Sequence, residues 1–176
     1  MKRAIFLLTT MALALVAAGG TAWAFDCGAG SCWGTPQGDR MIGTAADQGL
    51  HGRGGDDLIR GKGGNDSLTG DAGDDAVFGG PANDSVQGNR GHDRVEGGTG
   101  SDKVNGGAGS DRIVGNKGAD RLLGDGGHDH VDGRDLGPTG IGGSDVLDCG
   151  RGFDTFEADF DDTVKPNCEE GVVSGS

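Results

Sequence analysis

A nine-residue period governs the middle of this chain. Aspartate stands at Asp57, Asp66, Asp75, Asp84, Asp93, Asp102, Asp111, Asp120 and Asp129. Glycine opens each of those units, at Gly52, Gly61, Gly70, Gly79, Gly88, Gly97, Gly106, Gly115 and Gly124. Two residues beyond each aspartate comes one branched aliphatic side chain, from Ile59, Leu68 and Val77 through to Leu122 and Val131. The fourth position is glycine in every unit except one, where Ala82 replaces it. Three columns in register over nine units point to a stack of identical supersecondary pieces, each unable to bury its apolar face alone.

The period also dictates local structure. Six glycine-rich residues supply the positive φ angles that tight turns need. Asp71, Asn89, Asn116 and Asp125 take the second position, and their residue types tolerate such angles best after glycine. Arg53 and Lys62 depart from that preference, so the first turns are expected to be less regular. The remaining three residues place one apolar side chain between two mostly polar ones, as a short strand with one buried face requires.

The phrase resembles the RTX, or haemolysin-type, calcium-binding nonapeptide G-G-x-G-x-D-x-U-x. The resemblance covers residues 52–132 closely and 39–51 loosely, where Asp39 with Met41 and Gly43 with Leu50 keep phase but Gln48 takes an aspartate position. The segment SDVLDCGRGFDTFEADFDDTVKPNCEE is also similar to the ending of some secreted members. The resemblance implies an all-β fold, a parallel β-roll: a right-handed β-solenoid in which two nonapeptides complete one coil. After Asp132 the frame fails across the loop Arg134–Gly140, then resumes with a shift at Asp145 with Leu147 and at Asp154 with Phe156.

With two units per coil, the aspartates fall into two columns. One holds Asp57, Asp75, Asp93, Asp111 and Asp129; the other holds Asp66, Asp84, Asp102 and Asp120. Neighbours in sequence, such as Asp102 and Asp111, then lie on opposite sides. Rungs of a parallel stack are about 4.8 Å apart, and two bare carboxylates at that distance repel by roughly 3–4 kcal/mol at an effective dielectric near 20. A cation between rungs removes the conflict. Carboxylates and backbone carbonyls form a hard oxygen set that suits calcium, whereas zinc favours nitrogen and sulfur and magnesium retains its waters. The family places each ion between same-side turns, with carbonyls from the glycine-rich runs, here those of Gly70, Gly88, Gly97, Gly106, Gly115 and Gly124. Successive rung pairs from 57/75 to 111/129 and from 66/84 to 102/120 give about seven calcium sites. Asp39 with Asp57 offers one more, and Pro81-Ala82 casts doubt on the site at Asp84. Without metal, so small an apolar column is expected to leave the array largely unfolded, because backbone ordering is costly.

The remaining residues set the boundaries. Residues 1–24 are expected to be a secretory signal peptide, with Lys2 and Arg3, an apolar run and Ala22-Trp23-Ala24, cleaved after Ala24. An uncleaved anchor is the alternative, but Gly19-Gly20 interrupts a short apolar run. The expected units are then a cap at 25–38 with Cys27 and Cys32, degenerate repeats at 39–51, the roll at 52–133, and a loop and cap at 134–176 with Cys149 and Cys168. Four cysteines allow three pairings; export and nearness in sequence favour Cys27–Cys32 and Cys149–Cys168 over thiol metal ligation.

A formal charge of −13 argues against nucleic acid and anionic lipid as partners and for cations, and no membrane insertion is expected after leader cleavage. His128-Asp129-His130 imitates a metal cluster, yet His92 and His128 are expected to be ordinary turn variation. Arg94, Arg112 and His130 are expected on one sheet face and Lys103 with Arg121 on the other, with Phe78, Val114 and Leu123 exposed beside the buried column. Asp159, Asp161 and Asp162 form either an ion site or an acidic surface loop. The chain lacks H-E-x-x-H and G-x-S-x-G, and 25–38 is too short for a catalytic domain. The expected function is a secreted, non-catalytic calcium-binding protein; the alternative is a calcium-dependent extracellular adhesin or polymer-binding module. Ice binding is disfavoured because the third position carries no threonine row. The protein or polysaccharide partner is not encoded in any recognisable motif.

Overall fold

The computed structural model describes residues 23–28, 30–135 and 142–174. The leader up to Thr21 and Ala22, and most of the loop Arg134–Gly140, lie outside the described residues. All regular structure among the described residues is β-strand, and every strand pairing is parallel. Successive strands alternate between a nine-stranded sheet and an eight-stranded sheet. The chain therefore passes from one sheet to the other at every turn and returns to the first after two units.

The register fixes the coil length. Val104 pairs with Val86 on one side and Leu122 on the other, and Ile113 pairs with Val95 and Val131. Two nonapeptides thus complete one coil. Met41, Leu50, Ile59, Leu68, Val77, Val86, Val95, Val104, Ile113, Leu122, Val131 and Leu147 are fully buried in one cluster between the sheets. The core is one aliphatic side chain per strand, with Cys27 at one end and Cys149 and Ala158 at the other. Both disulfides, Cys27–Cys32 and Cys149–Cys168, are formed at these ends.

Two turn positions carry the backbone strain. The second residue of every unit has positive φ, and so does the fourth. Arg53 (83°) and Lys62 (80°) adopt the same angle as Asp71 (81°) and Asn89 (82°). The angle at the second position is therefore kept in the first turns. Strand pairing there stops before Gly52 and Gly61, however, and runs through a turn only from Asp71 with Asn89 onward, so the first turns are the less regular ones in their pairing. Ala82 likewise takes φ 89° in the place of glycine.

The strands are longer than three residues in the middle of the array. Arg94–Thr99 and Arg112–Lys117 are six-residue strands, paired before and after the opening glycine. The sheets thus bend at that glycine and continue into the turn.

Arg94, Arg112 and His130 are register partners on the nine-stranded sheet, and Lys103 pairs with Arg121 on the other. Phe78 and Leu123 are half-buried. Val114, expected to be exposed, is only 6% exposed. It lies in register between Glu96 and Asp132, which Arg94 and Arg134 hold in ion pairs. Phe78 lies between Arg60 and Arg94, whose guanidinium carbons are 5.5 and 5.7 Å from its ring centre. Ion pairs and guanidinium–ring contacts thus cover part of the outer face of the nine-stranded sheet.

Candidate metal centre

Each nonapeptide aspartate leaves its turn pointing inward and is 2–4% exposed. Its Oδ1 accepts the backbone N–H of the residue one coil earlier, as Asp93 does from Asp75 and Asp102 from Asp84, at 2.7–2.9 Å. The two columns are thus hydrogen-bonded ladders, with Asp102 and Asp111 on different ones. The second oxygen is different. Oδ2 of all nine aspartates is buried and has no hydrogen-bond partner. Asp84 behaves as its neighbours do despite Pro81-Ala82.

An unpartnered buried carboxylate oxygen is costly, and its electrostatic effect is visible here. Burial pushes Asp75, Asp84 and Asp129 up to about 7, and Asp57, Asp93, Asp102 and Asp120 up to about 6. The accepted N–H opposes the rise, and nearby carboxylates add to it. Asp66 and Asp111 are raised for the same leading reason. A multivalent cation beside Oδ2 reverses both burdens.

The opening glycines frame that oxygen. None of them has positive φ. A Cβ on Gly97, Gly106 or Gly115 would instead meet Oδ2 of the aspartate in the same unit. A Cβ on Gly52 or Gly79 would also meet the carbonyl oxygen of the opening glycine one coil later. The opening glycines thus let the free carboxylate oxygen approach the backbone closely, and at Gly52, Gly61 and Gly79 a backbone carbonyl of the next coil stands beside it. Among the described residues no three acidic, histidine or cysteine side chains converge on one point, so carbonyls must complete any coordination sphere. That donor set is hard oxygen and fits calcium. Gly97→Ala is expected to cost about 1–3 kcal/mol by crowding Asp102, whereas Gly126→Ala, whose Cβ meets nothing closer than 4.0 Å, is expected to be nearly neutral. Thermal unfolding at saturating calcium checks the difference.

A second ladder runs along the fifth position. Side-chain acceptors of Asp47, Asn65 and Asn83 take the N–H of the fifth residue one coil later, at 2.7–3.1 Å. Asp56 and Asp74 do the same on the other side, and His92 Nδ1 takes the Ser110 N–H. His128 accepts from Phe153 on a turn, while His130 meets Thr155 Oγ1 on a sheet face. The two histidines diverge from Asp129, and no cluster forms.

The column ends are satisfied by protein groups. Asp39 accepts the N–H and hydroxyl of Thr35. Gln48 accepts the Thr44 N–H and donates its Nε2 to the carbonyls of Cys27 and Gly28. In the C-terminal region Asp162 accepts N–H groups from Asp145 and Asp159, and Asp159 accepts from Asp135.

Two facing parallel sheets threaded by columns of half-satisfied carboxylates define a β-roll with the donor chemistry of a hard-cation binder. A family model for the RTX calcium-binding nonapeptide repeat matches residues 51–86, 78–113 and 105–135, and this segment of the chain belongs to that family. RTX repeats bind calcium, and repeat domains of this kind are generally structural. No curated protein shows significant similarity to the chain.

Proposed function

We propose that the protein is an exported, non-catalytic calcium-binding module that coils on binding calcium. The single observation that carries this reading is the run of nine buried, unpartnered Oδ2 atoms along two ladders. In this reading Asp57, Asp66, Asp75, Asp84, Asp93, Asp102, Asp111, Asp120 and Asp129 hold about seven ions between successive rungs. Carbonyls of the turns that include Gly70, Gly88, Gly97, Gly106, Gly115 and Gly124 complete the spheres. Calcium, when bound, supplies the positive charge that lets adjacent rungs remain ionised at their stacking distance. The chain's own part is to aim Oδ2 inward by fixing Oδ1 on the neighbouring coil, and to keep the space open with glycine.

Export follows from the leader read at residues 1–24 and from the two disulfides, which persist in oxidising compartments. The first described strand, Trp23–Asp26, begins two residues before the proposed cleavage point, so cleavage leaves Phe25 and Asp26 of it. The adhesin reading has no comparable support: on the nine-stranded sheet Arg94 pairs with Glu96 and Arg134 with Asp132. Calorimetric titration tests the proposal: calcium is expected to give several equivalents of binding and magnesium a much weaker response. Equal binding of both ions, or of neither, would contradict it.

A further inference from the structure

The two columns do not stop where the nonapeptide frame is interrupted. Asp145 gives Oδ1 to the Asp120 N–H, and Asp154 gives Oδ1 to the Asp129 N–H, both at 2.8 Å. These partners are 25 residues apart instead of 18, so one unit has absorbed seven extra residues while its ends stay in register. Val146–Asp148 and Thr155–Asp159 continue the two sheets. Asp145 and Asp154 are fully buried, and Oδ2 of each is unpartnered. In burial, in the Oδ1 bond to the preceding rung and in the unpartnered Oδ2 they match the nine repeat aspartates.

Two details show what those oxygens face. A Cβ on Gly115 would stand 2.6 Å from Asp120 Oδ2 and 3.3 Å from Asp145 Oδ2. Free oxygens from two successive rungs therefore lie side by side against Gly115, where only glycine leaves them room. A Cβ on Gly124 would meet the Cys149 carbonyl oxygen and stand 2.6 Å from Asp129 Oδ2. Cys149 thus takes the place of the glycine that opens each earlier unit, and its carbonyl takes that glycine's place in the lining.

We propose that the protein holds two further calcium ions beyond residues 51–135, one between Asp120 and Asp145 and one between Asp129 and Asp154. The inference rests on the calcium-binding reading given above. The second site is built on a turn that the Cys149–Cys168 disulfide ties down, and together the two ions join the last coils to the array across the insertion. Carboxylate and carbonyl oxygens at this spacing suit calcium, whose oxygen contacts lie at about 2.3–2.6 Å. Burial, and after it the charges of Asp120, Asp162 and Asp135, push Asp145 up to about 8, the setting a cation would relieve. The column termini behave differently. Gln48 spends its amide on two carbonyls where a cation would otherwise stand, and both Asp162 oxygens accept N–H groups.

Native mass spectrometry of the intact, disulfide-bonded chain at saturating calcium counts the ions. Asp145→Asn and Asp154→Asn are each expected to lose about one ion and the double variant about two. Asp148→Asn is expected to keep the wild-type count, since Asp148 pairs outside the columns with Lys165 and Asn167. Circular dichroism of the same samples reports whether the coil persists. Wild-type counts in coiled Asp145→Asn and Asp154→Asn would overturn the proposal. If an asparagine variant fails to coil, Asp145→Glu or Asp154→Glu decides: a recovered coil with the wild-type count supports the site, and no recovery overturns it. A wild-type chain that takes up no calcium would overturn the calcium-binding reading itself.

Discussion

Replacing Asp93 by alanine is expected to remove about two calcium ions and to break the coil into weakly coupled halves. Asp93 stands between Asp75 and Asp111 on its ladder: it accepts the Asp75 N–H, and its own N–H goes to Asp111. Its loss withdraws a ligand from the 75/93 and 93/111 sites together. At calcium one hundred times the dissociation constant, each lost site removes about 2.7 kcal/mol of stabilisation. The Asp75 N–H, left buried without its acceptor, costs about 1–3 kcal/mol more. In a stack where each coil touches only its neighbours, a central defect also divides the cooperative unit. Calorimetry should show the lower stoichiometry, and thermal unfolding should change from one transition to two. An unchanged ion count would remove Asp93 from the metal sites.

Stability is expected to depend on pH in opposite directions with and without calcium. In the metal-free coil, burial raises Asp75, Asp84 and Asp129 to about 7 and Asp145 to about 8, above the ordinary carboxylate value of about 4. A raised folded-state pKa means that the coil binds protons more tightly than the unfolded chain. That contribution is complete below about pH 4 and is lost as pH rises through 6 to 8. Acid therefore favours the metal-free coil. With calcium present, protons compete for the same oxygens, so acidification through the same window weakens binding and destabilises the loaded coil. Circular dichroism at pH 5 and pH 8, each with calcium and with chelator, should show the crossing. A common direction in both series would contradict the role given to these carboxylates.

Much of this architecture is legible in the sequence because its unit is strict. The spacing of nine, with two units per coil, places Val104 beside Val86 and Leu122, and the register agrees. The inward aspartates follow from the same columns. Other features are not legible, for physical reasons. The opening glycine reads as a turn residue, whereas its φ is unexceptional and the need comes from the approach of Oδ2. The fifth-position ladder is hidden because Asp, Asn and His share only an acceptor at a similar reach. Asp145 and Asp154 resume the phase visibly, but the seven inserted residues conceal that they rejoin the same ladders. Val114 is buried by ion-paired neighbours one coil away on either side, eighteen residues distant in sequence. Gln48 looks like a lost aspartate and acts as an amide closing the column.

The central claim is that cations between rungs make this chain fold. The core is one aliphatic residue per strand, the turns are rich in glycine, and carboxylates stack along both sides, so the metal-free coil carries large conformational and electrostatic burdens. Far-ultraviolet circular dichroism of the disulfide-bonded chain, first in excess chelator and then through a calcium titration, addresses this directly. The expected result is a largely unfolded spectrum in chelator that converts cooperatively to a β spectrum as calcium is added. A well-formed β spectrum in chelator at neutral pH, unchanged by calcium, would contradict the account.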